Sequence, residues 1–420
     1  MRPPDHTRRV VVTGLGVISP VGNDVATAWS NLVNGVSGIR EITKFDASGY
    51  DQRAAGEVRD FVATDWMDPK AARRSEAALH YGVAAAKQAL ADSGFEISDD
   101  NRTDVGVVFG SGAGGQSLMI DNYVSLRERG PRTVAPTFIA NALVDSASGM
   151  IAIETGALGH NLCIVSACAT GTHCVAEAAE AIRRGDCIAI MSGSTEMPLL
   201  EVGHAGFANM RGLGNPRPGE PIATVSRPFD LTRDGFVLGE GAASLFLEDL
   251  ELAKARGAKI YAEVVGYGSA ADGWDMIQPV EGGAGSARAM RMALERRGVP
   301  ADEVDMLNPH GTSTPLGDKR EAEAIWAVFG EHTPNIAISA TKSMTGHMMG
   351  ATGAFEAFAS VMSLHEGLIP PTLNYREPDP DCPLAIVTEP TRRNLRYVLS
   401  NNLGLGGHNG ALVLGRYDGD

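Results

Sequence analysis

Asn161-Leu-Cys-Ile-Val-Ser-Ala-Cys168-Ala-Thr-Gly-Thr-His-Cys174-Val-Ala-Glu-Ala-Ala-Glu-Ala-Ile-Arg-Arg184-Gly185 is the stretch that decides the fold class. Residues 162–165 form a short apolar run, which predicts a buried strand. Residues 172–184 are Ala-rich and end on Gly185, which predicts a helix with a glycine C-terminal cap. A strand that turns within a few residues into a helix points to an α/β protein. The same alternation recurs. Residues 10–12, 105–109 and 187–191 are predicted strands, and residues 71–93 are a predicted helix closed by Gly94.

The chain also repeats itself loosely. AAAKQALADSGFEISDDNRTDVGVVFGSG (84–112) and RAMRMALERRGVPADEVDMLNPHGTS (288–313) both run helix, glycine, acidic loop, strand and Gly-containing turn. CATGTHCVAEAAE (168–180) is echoed by MTGHMMGATGAFEAFAS (344–360). The boundary falls near residues 255–259, ahead of a predicted strand at 260–265. The expected domains are therefore 1–255 and 256–420. Two such halves packed face to face bring equivalent elbows to one site.

Bulk composition narrows the function. The chain has 420 residues, 44% of them hydrophobic and 21% charged, as in soluble globular proteins. A net charge of −15 argues against non-specific nucleic-acid binding. Five cysteines, an odd number in a large chain, argue against a disulfide framework, and none has zinc-ligand spacing. The polar start leads into an apolar stretch at 10–18 broken by Thr13, Gly14 and Gly16, which reads as a strand and then a turn. No run approaches the roughly 20 apolar residues that span a bilayer. A cytoplasmic enzyme is the expectation.

Cys168 stands at the strand-to-helix elbow, where the positive end of a helix dipole favours thiolate. Ala167, Ala169 and Gly171 leave room beside it. A buried structural cysteine is the competing reading. His310, in Asn-Pro-His-Gly-Thr-Ser-Thr, and His347, in Lys342-Ser-Met-Thr-Gly-His, occupy loops of the second half, the latter ahead of a helix carrying Glu356. Ser400-Asn-Asn-Leu-Gly-Leu-Gly-Gly-His-Asn-Gly410 is a loop whose glycines expose backbone N–H groups, as an oxyanion hole requires.

Ser-Ala-Cys168-Ala-Thr-Gly, Asn-Pro-His310-Gly-Thr-Ser-Thr, Thr-Lys342-Ser-Met-Thr-Gly-His347 and Gly-Leu405-Gly-Gly together resemble the four active-site signatures of β-ketoacyl synthases, in the family's order. The resemblance extends across the chain, including residues 227–241 (RPFDLTRDGFVLGEG). It implies a thiolase-like fold of two similar βαβαβ-type halves in a layered α/β/α/β/α domain. It also implies a dimer, a homodimer or a heterodimer with a related chain-length subunit. The implied reaction joins an acyl thioester to malonyl-acyl carrier protein by decarboxylative condensation, as in fatty acid elongation. Substrates ride on the phosphopantetheine of acyl carrier protein, and no redox cofactor or metal is needed.

Residue by residue, the resemblance makes Cys168 the nucleophile. His310 and His347 become hydrogen-bond donors to the enolate, with Lys342 paired to Glu356. Leu405, flanked by Gly404 and Gly406, supplies the gate and an oxyanion N–H. Thr312 and Thr314 match pantetheine contacts. Ala113, Phe138 and Phe207 match the acyl tunnel. Lys70, Arg73, Arg74 and Arg211 match the carrier-docking surface.

Leu403 and Leu405 stand where the family carries Phe, Pro309 where it carries Ala, and Asp275 and Ile277 where it carries His and Thr. These departures bear on the substrate and suit a ketosynthase subunit of a specialised type II polyketide or polyene pathway. A thiolase would carry a second cysteine in the 400–410 loop, where there is none. A non-catalytic chain-length partner would lack Cys168. A dinucleotide oxidoreductase would need a third glycine where Ser19 stands.

Overall fold

The computed structural model describes residues 7–419; the polar first six residues and Asp420 lie outside it. Among the described residues ten strands form one mixed sheet. They are β1 (Val10–Ile18), β2 (Val105–Gly110), β3 (Asn161–Leu162), β4 (Ala189–Glu196), β5 (Gly241–Asp249), β6 (Ala262–Ala271), β7 (Val304–Asn308), β8 (Ala337–Ile338), β9 (Tyr397–Gly404) and β10 (His408–Gly415). Their spatial order is β8-β7-β9-β10-β6-β1-β5-β4-β2-β3.

The centre of this sheet is the antiparallel contact of β1 with β6, Val11 opposite Glu263 and Val12 opposite Ala262. Outward from it the two sides follow one plan. β1 pairs antiparallel with β5, β5 antiparallel with β4, and β4, β2 and β3 run parallel. β6 pairs antiparallel with β10, β10 antiparallel with β9, and β9, β7 and β8 run parallel. The repeat in the sequence is thus a repeat in topology.

Five helices complete the layers: α1 (Ala77–Ser93), α2 (Thr170–Arg184), α3 (Ala284–Glu295), α4 (Pro315–Phe329) and α5 (Thr352–Glu366). α1 packs on β1, β4 and β5, and α3 on β6, β9 and β10, while α2 and α5 pack on each other and on strands of both sides. The order is α1, first half-sheet, α2 with α5, second half-sheet, α3. Every residue of α5 from Thr352 to Leu364 is buried, so this helix has no polar face to offer water.

Several local expectations change. Gly14 and Gly16 lie inside β1, not in a turn. A Cβ on Gly14 would sit 2.0 Å from the Ala89 carbonyl oxygen, and one on Gly16 1.9 Å from that of Ala85. The glycines are there to let α1 lie against the strand. The predicted helix at 71–93 is two: a four-residue turn, Pro69–Ala72, and α1. Ser75 Oγ donates to the Ala71 carbonyl at 2.8 Å and His80 Nε2 lies 3.1 Å from that of Ala72. The strand expected at 162–165 is only Asn161–Leu162, because past it the Ser166 N–H donates to Thr170 Oγ1 (2.9 Å) and starts the turn into α2. The strand expected at 187–191 begins at Ala189 and runs on to Glu196, and the one expected at 260–265 runs from Ala262 to Ala271.

Candidate active site

The two elbows meet between the half-sheets. In the first, Cys168 is the middle residue of the single turn Ala167–Ala169 that opens α2. In the second, Met349–Ala351 opens α5. Ala167 (φ +50°) and Met349 (φ +46°) both adopt the left-handed conformation that L-residues avoid. The shared distortion aims both elbows at one point.

Cys168 is buried, with 4% of its surface exposed. Its Sγ lies 3.0 Å from His347 Nε2, and His347 Nδ1 lies 3.1 Å from Thr352 Oγ1. His310 stands edge-on to His347, ring centroids 5.2 Å apart at 89°. Its loop is held from α4, where Glu321 accepts the N–H groups of His310 (2.6 Å) and Gly311 (2.7 Å). Lys342 Nζ meets Glu356 Oε1 at 2.6 Å.

Burial pushes the Cys168 thiol up to about 12, while Lys342 and the N–H groups of Leu405 and Cys168 itself pull it down. The helix N-terminus therefore does not make a resting thiolate; desolvation outweighs it. Burial, reinforced by Lys342, holds both His310 and His347 well below the ordinary imidazole range, so both rings are neutral. The neutral thiol and the neutral imidazole lie 3.0 Å apart, within hydrogen-bond reach. The backbone N–H groups of Leu405 and Cys168 act on the thiol to lower its pKa, which places both near the sulfur.

A cavity of about 390 Å³ opens onto the sulfur. Cys168, His310, His347, Thr312, Thr314, Phe207, Arg211, Gly404 and Leu405 all line it. Ala113 and Phe138 are half-buried and do not line it, and neither does Gly406, whose N–H donates to the Met276 carbonyl at 2.8 Å. Lys70, Arg73 and Arg74 are exposed away from the cavity, on and just after the Pro69–Ala72 turn; Arg211 is exposed at its rim.

Four supporting residues had no motif to mark them. Thr352 backs His347, and Glu321 holds the His310 loop. Asn402 Nδ2 donates to Glu356 Oε2 at 2.7 Å. Glu196 accepts from Gly112 N (2.7 Å), Ser111 Oγ (2.9 Å) and Gly350 N (3.0 Å), tying the two halves together. One signal was available. Ser400-Asn401-Asn402 puts three adjacent polar residues inside a strand that is otherwise apolar, which demands buried hydrogen-bond partners.

Comparison with known proteins agrees with this geometry. Residues 7–253 match the model of the beta-ketoacyl synthase N-terminal domain and residues 261–376 that of the C-terminal domain. The chain is 43% identical over 414 residues to "3-oxoacyl-[acyl-carrier-protein] synthase 2" of Staphylococcus aureus (strain N315), covering 98% of this chain and 99% of that protein. The ishigamide ketosynthase/chain length factor structure superposes with a TM-score of 0.90 at 36% identity, covering 98% of this chain and 99% of that one. A type II PKS acyl-carrier protein complex with its ketosynthase bound to the hexaketide gives 0.90 at 31% identity, covering 98% and 100%. With Cys168 from one half facing two neutral imidazoles from the other, and both domain models matched in order, the chain belongs to the beta-ketoacyl synthase family.

Proposed function

We propose that this enzyme is a 3-oxoacyl-acyl carrier protein synthase acting through Cys168. The observation that carries the reading is the 3.0 Å contact of Cys168 Sγ with His347 Nε2, beneath the N–H groups of Leu405 and Cys168.

In the first half-reaction Sγ attacks the acyl thioester of acyl carrier protein. The carbonyl oxygen becomes an oxyanion between the two N–H groups. The thiol proton passes to the departing pantetheine sulfur, leaving acyl-Cys168 and the free carrier thiol, while His347 keeps its ring proton on Nε2 and Nδ1 faces Thr352. In the second, malonyl-carrier protein enters the cavity past Thr312 and Thr314. Its C–CO₂⁻ bond breaks, CO₂ leaves, and the electron pair becomes an enolate whose oxygen takes hydrogen bonds from His310 and His347. The enolate carbon attacks the acyl-Cys168 carbonyl, expels the Cys168 sulfur and yields a 3-oxoacyl chain two carbons longer. The released Cys168 thiolate takes up one proton from water, which restores the thiol. Burial, reinforced by the charge of Lys342 that Glu356 holds in place, keeps both imidazoles neutral. The steps need no further cofactor.

The division at 1–255 and 256–420 suits this chemistry, the nucleophile in one half and the imidazoles in the other. Lys70, Arg73, Arg74 and Arg211 supply local positive charge for an acidic carrier. Ala113 and Phe138 belong to the far end of the acyl path. The partner is a second copy or a related chain-length subunit, as the ketosynthase/chain length factor relative supports. Among the described residues no helix is long and apolar enough to cross a membrane, which suits the cytoplasm. Fatty acid elongation is the first reading, from the Staphylococcus relative. Leu405, smaller than Phe over the sulfur, favours a specialised type II pathway as the second.

Intact-protein mass spectrometry with acyl-carrier protein tests the reaction. One acyl adduct mapping to Cys168, absent in Cys168→Ala, is expected. No adduct, or one on another cysteine, defeats the reading.

A further inference from the structure

Asn402 lies on β9 just before the gate residues and is fully buried. Its side chain is used completely. Oδ1 accepts from Thr172 Oγ1 of α2 at 2.5 Å. One N–H donates to Glu356 Oε2 of α5 at 2.7 Å, and Nδ2 lies 3.4 Å from His310 Nδ1. The reverse orientation of the amide would set its carbonyl oxygen against the Glu356 carboxylate. The amide is therefore locked with its donors toward Glu356 and His310. α2 and α5 close tightly over it. A Cβ on Gly353 would fall 2.9 Å from Asn402 Oδ1 and 2.4 Å from the Thr172 nitrogen.

A donor facing Nδ1 has one consequence for a neutral imidazole. Nδ1 must be the bare nitrogen, so the ring proton sits on Nε2. His310 lines the cavity and has to donate to the enolate; with the proton on Nδ1 it would present only a lone pair. Building on the condensing reading above, we propose that Asn402 is a positioning residue that fixes the Nε2–H tautomer of His310, and that it governs enolate formation but not acylation of Cys168. The same amide links that tautomer to the carboxylate that holds Lys342.

The test uses the full chain with Asn402→Leu, close in size and unable to donate, and Asn402→Ala as a second variant should the first fail to fold. Three readouts are taken: acyl-Cys168 formation by mass spectrometry, CO₂ release from malonyl-carrier protein, and imidazole ¹⁵N spectra of histidine-labelled protein, with His310→Ala as the assignment control. CO₂ release is expected to fall in proportion to the share of the Nε2–H tautomer lost, on the order of fivefold. Acylation should stay within about twofold of wild type. The His310 signals should change from a pure Nε2–H pattern to a mixture. Equal loss in both half-reactions, unchanged CO₂ release, or an unchanged ¹⁵N pattern overturns the proposal. Absence of any adduct in the wild type would instead defeat the condensing reading, and the ¹⁵N pattern would still decide the tautomer.

Discussion

Lys342 and Glu356 face each other at 2.6 Å with only 2% and 0% of their side chains exposed. Breaking a buried pair by removing one partner strands the other charge. Lys342→Met is expected to lose about 3–5 kcal/mol of stability. Lys342→Met combined with Glu356→Gln removes both charges and should recover part of that loss. Urea unfolding of the two variants side by side checks it; a double variant less stable than the single would contradict it.

Glu196 predicts a pH dependence. Burial pushes its carboxyl up to about 7 despite the N–H groups of Gly112, Gly350 and Ala113 that favour the charge. Its folded pKa lies above the unfolded value, so the native state holds more protons between about pH 4.5 and 7. Its contribution is full below that window and is lost as pH rises through it. Glu196→Gln cannot ionise. Relative to wild type it should therefore gain on the order of 3 kcal/mol as pH goes from 4.5 to above 7, on top of a constant cost for its altered hydrogen bonds. Denaturation midpoints at both ends give the slope. A flat difference would mean Glu196 titrates near the ordinary carboxylate range.

His310 and His347 act in the opposite sense. Their folded pKa values lie well below 6.5, so the unfolded chain binds more protons as pH falls. Their contribution is full above about pH 6.5 and is lost progressively below it. His310→Gln should weaken acid destabilisation below pH 6.5, measured as the change in unfolding free energy per pH unit. An unchanged acid slope would rule out a neutral, buried His310.

The carrier-docking expectation is tested by charge reversal. Lys70→Glu with Arg73→Glu and Arg74→Glu should raise KM for acyl-carrier protein roughly tenfold, about 1.4 kcal/mol, and flatten its salt dependence. A small thioester such as an acyl-pantetheine should react as before, since these side chains lie away from the cavity. Equal loss with both substrates would argue for misfolding of the Pro69–Ala72 turn.

Leu405 lines the cavity together with Cys168, and its N–H lowers the pKa of the thiol. Leu405→Phe keeps the N–H and adds bulk. Acylation by long-chain donors should slow by about tenfold or more relative to an acetyl donor, the scale on which apolar pockets discriminate. Parallel slowing of both donors would place the gate elsewhere.

The alternation of strands and helices and the doubling of the chain were legible because both rest on local patterns. Gly14 and Gly16 were misleading: the same residue serves a turn or a close approach, and only the presence of α1 says which. Residues 71–93 looked like one helix because the break at 73–76 carries no Gly or Pro, the residues by which a helix end is read in sequence. Cys168, His310, His347 and Lys342 were findable as motifs. Asn402, Glu196 and Thr352 were not, because each matters through partners far away in sequence.

The twin elbows carry a final consequence. Cys168-Ala-Thr-Gly in the first half corresponds to Gly350-Ala-Thr-Gly in the second, so Gly350 occupies the place of the nucleophile. A Cβ there would lie 2.5 Å from both Glu196 Oε2 and the Gly112 nitrogen. The second elbow has no room for any side chain at all. The doubling therefore supplies no second cysteine at the matching position, and labelling with an acyl donor is expected to saturate at one equivalent per polypeptide.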